Sequence, residues 1–324
     1  MPTVTVSGSG DDQRALQSIA DTVARSKKVI FVTGAGISTN SGIPDFRSQD
    51  GLYNLVKRKY PQANLAKGKD LFDSVLWNDA TTTSIFYTFI AELRNEVLKV
   101  KDTTCTHKFI RTLSDTGRLQ RCYTQNIDGL EEREGLTTDL SLGKGKRRTC
   151  AAKKVVVQLH GHLRNLRCEL CNASHPYDEE NAEALSAGMA PACPTCQGKL
   201  EERESAGKRT TRIGALRPSI VLYGEENPDA EMIGKVTQAD LSAKPDLMII
   251  AGTSLKVHGL KRIVKSFAAS IHAKGGKVIY VNNTPAANSV WKDVIDYHVE
   301  MDCDRFVAEL KDKRPDIWQL QSTL

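Results

Sequence analysis

The sequence predicts an α/β fold built on a parallel sheet, and three observations carry that expectation. Short continuous apolar runs occur at 29–32, 247–251 and 278–281, each followed by Thr-Gly, Gly or Asn. Runs of this kind read as strands buried on both faces. Helical stripes lie between several of them, at 229–242 and 257–273, and buried strands alternating with helices imply parallel pairing.

Taken in order, residues 1–10, ending Ser7-Gly8-Ser9-Gly10, read as a flexible lead. Apolar residues at 15, 16, 19, 20, 23 and 24 form a helical stripe over 12–26. The run at 29–32 is the first strand. Residues 49–115 hold no strand-like run, and 79–99 is helical, with Ile85, Phe86, Phe89, Ile90, Leu93 and Val97 on its apolar face. A strand at 119–123 leads into Thr124-Gln125-Asn126-Ile127-Asp128-Gly129. Two more runs, at 155–159 and 219–223, are read as strands of the same kind. Residues 164–212 hold paired cysteines among polar residues. The stretches 49–115 and 164–212 are therefore expected to be inserts in the α/β domain.

Composition limits the class. Of 324 residues, 40% are apolar and 26% charged, which excludes a disordered or fibrous chain. No apolar run approaches the roughly 18 residues of a membrane span, so no membrane partner is expected. The start lacks a basic segment followed by an apolar core, so no secretory signal is expected. Lys plus Arg is 45 against 39 acidic residues, a net charge of +6, part of it in the basic stretch 144–154. That stretch is a candidate contact with nucleic acid or chromatin, or a solvated loop.

Five features carry chemistry. Thr33-Gly34-Ala35-Gly36-Ile37-Ser38 follows a strand, and glycines there let backbone amides approach a pyrophosphate. A third glycine of the usual fingerprint is replaced by Thr39, so a plain strand-to-helix turn is an equal reading. Asp45-Phe46-Arg47 sets an acid, an aromatic and a base beside that turn. Gln125, Asn126 and Asp128 fall at a strand's carboxyl end, where α/β sheets bind ligands; an Asx turn is the alternative. His160 ends the 155–159 run and is placed for proton transfer near neutral pH; a structural histidine is the alternative. Finally, Cys168-x2-Cys171 and Cys193-x2-Cys196, separated by 21 residues, have the spacing of a closed tetrahedral zinc site, with redox pairs as the alternative.

Together these motifs resemble the sirtuins, NAD-dependent protein deacylases. The likeness runs over about 28–310 and includes Gly34-Ala35-Gly36-Ile37-Ser38, Gly42-Ile43-Pro44-Asp45-Phe46-Arg47, Thr124-Gln125-Asn126-Ile127-Asp128-Gly129, His160-Gly161, the paired cysteines, Gly252-Thr253-Ser254-Leu255 and Val281-Asn282. The resemblance implies one catalytic domain over 11–320. Its Rossmann-like large lobe would span 11–48, 116–163 and 213–320, with a helical part at 49–115 and a zinc module at 164–212. It implies NAD and zinc as cofactors. Gly34, Ala35, Gly36 and Ser38 would line phosphates and ribose, and Asp45, Phe46 and Arg47 would cover the nicotinamide ribose. Gln125, Asn126 and Asp128 would hold ribose and amide. Gly252, Thr253 and Ser254 would bind phosphate and ribose, with Asn282, Asn283 and Cys303 on the adenosine side. His160 matches the general base, assisted by Asn126. The peptide would lie between Leu222-Tyr223-Gly224-Glu225 and the segment after Ser254, with Val257 near the acyl-lysine.

Departures from the family pattern are Tyr223 for a common Phe, His258 where a proline is common, and the extra stretch 137–154. No Tyr-x-x-Arg follows Arg47, which favours neutral acyl groups. Gly51-Leu52-Tyr53-Asn54, Gly68-Lys69-Asp70-Leu71-Phe72-Asp73, Phe86-Tyr87-Thr88-Phe89-Ile90 and Arg217-Pro218-Ser219-Ile220-Val221 resemble the fungal nuclear subgroup that deacetylates the histone H3 core. The resemblance thus implies a nuclear histone deacetylase of chromatin silencing and genome maintenance. Mono-ADP-ribosyl transfer, or deacylation of another acyl group or a non-histone protein, is the alternative.

Overall fold

The computed structural model describes residues 3–5, 10–61, 68–140 and 156–319. The chain begins with β1 (Thr3–Thr5), α1 (Gly10–Arg25), β2 (Val29–Thr33), α2 (Leu52–Lys59), α3 (Ala80–Lys99) and α4 (Cys105–Asp115). It continues with β3 (Leu119–Thr124), α5 (Leu130–Arg133), β4 (Val156–Gln158), β5 (Gly161–Cys168), β6 (Ser174–Pro176), α6 (Glu179–Ser186) and α7 (Pro194–Ser205). The last part comprises β7 (Leu216–Ile220), α8 (Ala230–Ser242), β8 (Leu247–Ala251), α9 (His258–His272), β9 (Lys277–Val281), α10 (Asn288–Trp291), β10 (Tyr297–Glu300) and α11 (Cys303–Lys313).

Among the described residues, seven strands form one parallel sheet in the order β1-β10-β9-β8-β2-β3-β4. Its central strands alternate with period two. Val29, Phe31, Leu247, Ile249, Ile279 and Val281 face one layer, packed by α1, α4 and α11. Ile30, Val32, Met248, Ile250, Val278 and Tyr280 face the other, packed by α8 and α9. Both faces are covered, which is why these strands read as unbroken apolar runs.

Three details differ from the sequence reading. Thr3–Thr5 is not a free lead but an edge strand paired with β10. The run near 219–223 is strand β7, shifted to Leu216–Ile220, and it pairs antiparallel with β5 in a second, three-stranded sheet with β6. The apolar run alone cannot show direction or partner, because an apolar strand satisfies either sheet. Helix α4 lies within the stretch read as an insert, yet Phe109, Ile110 and Leu113 pack on the parallel sheet.

The second core joins α2, α3 and the cysteine-bearing segment through Leu52, Val56, Phe86, Ile90, Leu166, Leu185 and Leu216. A buried ion pair ties α8 to the sheet: Asp240 accepts from Arg121 Nε at 2.8 Å, Arg121 Nη2 at 3.0 Å and Tyr123 OH at 2.7 Å. No helix among the described residues is long and apolar enough to cross a membrane. The stretch 144–154 lies outside the described residues.

Candidate active site

Strand register sets the site. Thr33 of β2 is level with Thr124 of β3 and Ala251 of β8, Thr124 with Gln158 of β4, and Ala251 with Val281 of β9. The segments that follow, at 34–36, 125–128, 159–160, 252–254 and 282, therefore emerge along one edge. Strand order reverses between β2 and β8, the place where α/β sheets bind ligands.

At that reversal two turns interlock. Gly34 N donates to Ala251 O at 3.1 Å and Gly36 N to Gly252 O at 2.9 Å. A Cβ on Gly36 would lie 2.7 Å from Gly252 Cα, and one on Gly252, itself at φ +64°, would lie 2.5 Å from Ile37 N. The glycines thus serve close approach of the two turns. The expected cradle of free amides is reduced, since Gly34, Gly36, Ile37 and Ser38 all donate to backbone carbonyls. Among the described residues only the Ala35 amide of this turn has no such acceptor.

The β3 end is braced from behind. Gln125 Nε2 donates to Thr33 O at 3.1 Å and to Thr253 Oγ1 at 2.8 Å, linking three strand ends. Asn126 Nδ2 donates to Ser38 Oγ at 3.2 Å, and Ser38 Oγ donates to Asp128 Oδ2 at 2.8 Å. Asp128 Oδ1 accepts from Leu130 N at 3.0 Å, so both of its oxygens are engaged. Asn126 Oδ1 is buried without a hydrogen-bond partner among the described residues. A buried acceptor left open in this way is a place for a ligand or an ordered water.

His160 follows β4. Its Nδ1 lies 3.1 Å from Gln125 O. A carbonyl only accepts, so Nδ1 carries the proton and Nε2 presents its lone pair. Burial holds the imidazole below its ordinary pKa of 6.5, against the opposing pull of the Gln125 carbonyl. The ring is therefore neutral, and a base, at physiological pH. His162, two residues on, does not line the cleft.

One cleft of about 1300 Å³ collects these parts. Gly34, Ala35, Gly36, Asp45, Phe46, Arg47, Gln125, Asn126, His160, Leu222, Tyr223, Gly224, Glu225, Gly252, Thr253, Ser254, Val257 and Asn282 all line it. Ser38, Asp128, Asn283 and Cys303 do not. Ser38 and Asp128 stand behind Asn126, and Cys303 is a core residue under β9 with Sγ 3.9 Å from Val281 O. Asp45 closes its own loop, accepting from Arg47 N and Ser48 N at 2.7 Å each.

Glu225 is an anchor. It accepts from Arg217 Nη1 and Nη2, Trp77 Nε1 and Leu222 N, and Arg217 lies 4.3 Å over the Trp77 ring. Its carboxylate is consumed inside the protein. Tyr223 pairs with the 72–74 segment, its N–H on Phe72 O and its carbonyl accepting from Ser74 N, both at 2.8 Å.

The cysteines meet in the second core. Cys168 Sγ and Cys196 Sγ are 3.8 Å apart, and Cys171 Sγ and Cys193 Sγ 3.7 Å, with all four within 4.8 Å. A tetrahedron with Zn–S bonds of about 2.3 Å has edges of about 3.8 Å. Leu170 N and Cys171 N both point at Cys168 Sγ, as amides do toward a metal-bound thiolate. The donors fit zinc with no open position.

A Sir2 family model matches residues 34–259, most of the chain. The chain belongs to the Sir2 family. The NAD-dependent histone deacetylase HST3 of Candida albicans is 46% identical over 97% of this chain. HST3 of Saccharomyces cerevisiae is 42% identical over 97%. The chain spans 65% and 71% of the length of these relatives. Among solved structures, a mutant Sir2 homologue in complex with 2'-O-acetyl ADP ribose matches at TM-score 0.66 and 25% identity, covering 94% of this chain and 99% of that one. For a Sir2 chain the glycine turns, the open Asn126 oxygen and the cleft's size fit NAD as cofactor.

The sequence reading missed several lining residues. Tyr53 and Phe72 join Phe46 in an aromatic cluster with ring centroids 5.3–5.7 Å apart. Ile127, Asn227 and Trp291 also line the cleft. His175 Nε2 sits 3.5 Å from Cys193 Sγ, beside the metal ligands. Tyr53 and Phe72 stood in segments singled out for subgroup likeness, but nothing in their spacing pointed to a shared cavity.

Proposed function

We propose that this chain is an NAD-dependent protein-lysine deacetylase of histone H3, acting on acetyl-lysine in the globular core and releasing nicotinamide and O-acetyl-ADP-ribose. The observation that carries the reading is a neutral, tautomer-fixed histidine facing the same cleft as a buried, open amide oxygen and the interlocked glycine turns. The names of the HST3 relatives support a histone substrate. NAD, when bound, supplies an electrophilic ribose carbon and a nicotinamide leaving group.

The protein's part is alignment and proton handling. His160 Nε2 takes a proton from a sugar hydroxyl while Gln125 O holds the ring. Asn126 offers its amide oxygen, and Ser38 and Asp128 act through Asn126, holding its side chain. Gly34, Ala35, Gly36, Gly252, Thr253 and Ser254 line the phosphate and ribose positions, with Asn282 and Asn283 toward the adenosine and Cys303 beneath it. Asp45, Phe46 and Arg47 shape the nicotinamide end. Val257, Leu222, Tyr223 and Gly224 flank the peptide, with Glu225 setting the shape of that loop. Cys168, Cys171, Cys193 and Cys196 hold zinc in a structural role.

In this reading 11–320 is one catalytic unit: a large lobe (11–48, 116–163, 213–320), a helical insert (49–115) and a zinc module (164–212). Helix α4 and strand β7 cross those boundaries in their packing. The setting is the nucleus, in silencing and genome maintenance. The stretch 144–154 is a candidate contact with nucleic acid or chromatin, with a solvated loop as the alternative; a steep salt dependence of DNA binding, lost on deleting 144–154, would support the contact.

The deciding experiment incubates the protein with NAD and acetylated H3 core and tail peptides, followed by mass spectrometry. Loss of the core acetyl mark with release of O-acetyl-ADP-ribose is expected. An ADP-ribosylated protein without deacetylation would establish the transferase instead, and tail-only activity would overturn the core assignment.

A further inference from the structure

Two loops line the cleft, at 45–53 and 222–225; each is braced by its own hydrogen bonds, and the Phe46 and Tyr53 rings of the first pack on Phe72 beside the second. The loop at 45–53 is closed by Asp45, whose carbonyl also accepts from Leu52 N at 2.7 Å, and by Tyr53 N on Phe46 O at 3.2 Å. The loop at 222–225 is held by Glu225 on Arg217 and Trp77, and by Tyr223 paired with Phe72 and Ser74. Among the described residues, side-chain hydrogen bonds join the two loops at one atom only. Tyr223 OH accepts from Arg47 Nη2 at 3.2 Å and lies 3.5 Å from Tyr53 OH. The Arg47 side chain is exposed, its guanidinium donates to Tyr223 OH, and its guanidinium carbon sits 5.6 Å from the Tyr53 ring centroid.

We propose that the Tyr223 hydroxyl is a positioning group that couples the peptide side of the cleft to the cofactor side by holding Arg47. This rests on the functional reading above. An exposed arginine samples many rotamers, and ordering it opposes any anion that must recruit it. A phenol oxygen that already holds the guanidinium removes part of that cost. A peptide lying along Leu222 and Gly224 fixes the Tyr223 ring, and through it Arg47. The ribose and adjoining phosphate at the nicotinamide end of the dinucleotide then meet an ordered cation. By linkage the effect runs both ways, so each ligand tightens the other by the same factor.

The test is calorimetric titration of ADP-ribose into the full chain, with and without a saturating acetyl-lysine peptide from the H3 core. In the wild type the peptide tightens ADP-ribose binding. In Tyr223→Phe, which removes one partly exposed oxygen, that enhancement falls by roughly 2- to 10-fold, the worth of one hydrogen bond. Tyr53→Phe, which spares the Arg47 bond, keeps the enhancement within about twofold. Melting temperature and zinc content of both variants establish that they are folded. Wild-type enhancement in Tyr223→Phe overturns the proposal, as does its absence in the wild type, failure of ADP-ribose to bind included. Wild-type turnover with NAD tests the functional reading separately, since deacetylation persists whether or not the coupling runs through Tyr223.

Discussion

Replacing Glu225 by alanine should damage the 222–225 loop through stability rather than chemistry. The carboxylate accepts from Arg217 Nη1 at 2.5 Å, Arg217 Nη2 and Trp77 Nε1 at 2.9 Å, and Leu222 N at 3.0 Å. The side chains of Arg217 and Glu225 are only 11% and 15% exposed, so solvent screens the pair weakly. Truncating one partner strands a guanidinium against the Trp77 ring, and uncompensated buried charges of this kind cost about 3–5 kcal/mol. For a chain of this size that corresponds to a fall in melting temperature of about 4–7 °C. Glu225→Gln keeps the shape and should fall between alanine and wild type. Burial pushes the Glu225 carboxyl up, but the bonds and charge of Arg217, with help from the Leu222 amide and Trp77, outweigh it and hold it below 4.5. A lowered folded value means the stabilisation is complete above the unfolded pKa and is lost as pH falls through the folded one. The gap between wild type and Glu225→Gln should therefore narrow below about pH 4.5. The assays are thermal melting from pH 3.5 to 7.5 and the peptide KM, which should rise more than the NAD KM. Melting within 1 °C of wild type with an unchanged peptide KM would refute the anchoring role.

Four further outcomes are expected. Gly36→Ala drives a Cβ into Gly252 backbone, so the two turns must part, and ADP-ribose binding by calorimetry should drop at least about tenfold, a loss of roughly 1.4 kcal/mol. Chelation, or Cys196→Ser, should remove one zinc per chain by metal analysis and melt the α6–α7 region while the parallel sheet survives, because the segment leans on its metal. His160→Ala should lower turnover by about 10²–10⁴-fold with little change in melting; the acid limb of the wild-type rate profile should lie below 6.5, since burial lowers the imidazole, and the stability this lends is complete above 6.5 and lost as pH falls toward the folded value. Asp240→Ala strands buried Arg121 and Tyr123 and should cost about 3–5 kcal/mol in urea unfolding, with catalysis at low temperature retained.

Periodicity made the strands at 29–33, 247–251 and 277–281 and the helices α1, α3, α8 and α9 legible, because a sheet covered on both faces needs continuous apolar runs and a surface helix needs a stripe. The zinc set was legible from spacing, since four thiolates in two knuckles close a shell without help from elsewhere. Strand β7 was misplaced because hydrophobicity is blind to the choice of sheet, and β1 was missed because three residues carry no pattern. Among the residues that line the cleft, His160 and Asn126 were legible from their position at strand ends. The rearward placement of Ser38 and Asp128 could not, because a polar residue at a strand end reads alike whether it faces the ligand or the residue that does.

The sequence by itself determined the α/β class, the metal ligands and the family, each written in local spacing or in motif order. Tertiary structure alone decided how the turns at 34–36 and 252–254 interlock, why Glu225 is consumed by Arg217 and Trp77, and that Tyr223 meets Arg47. These contacts join residues far apart in the chain, and Arg47 and Tyr223 are separated by 176 positions. No local pattern encodes such a pairing, because it is set by the register of the strands and the packing of the second core that carry the two loops.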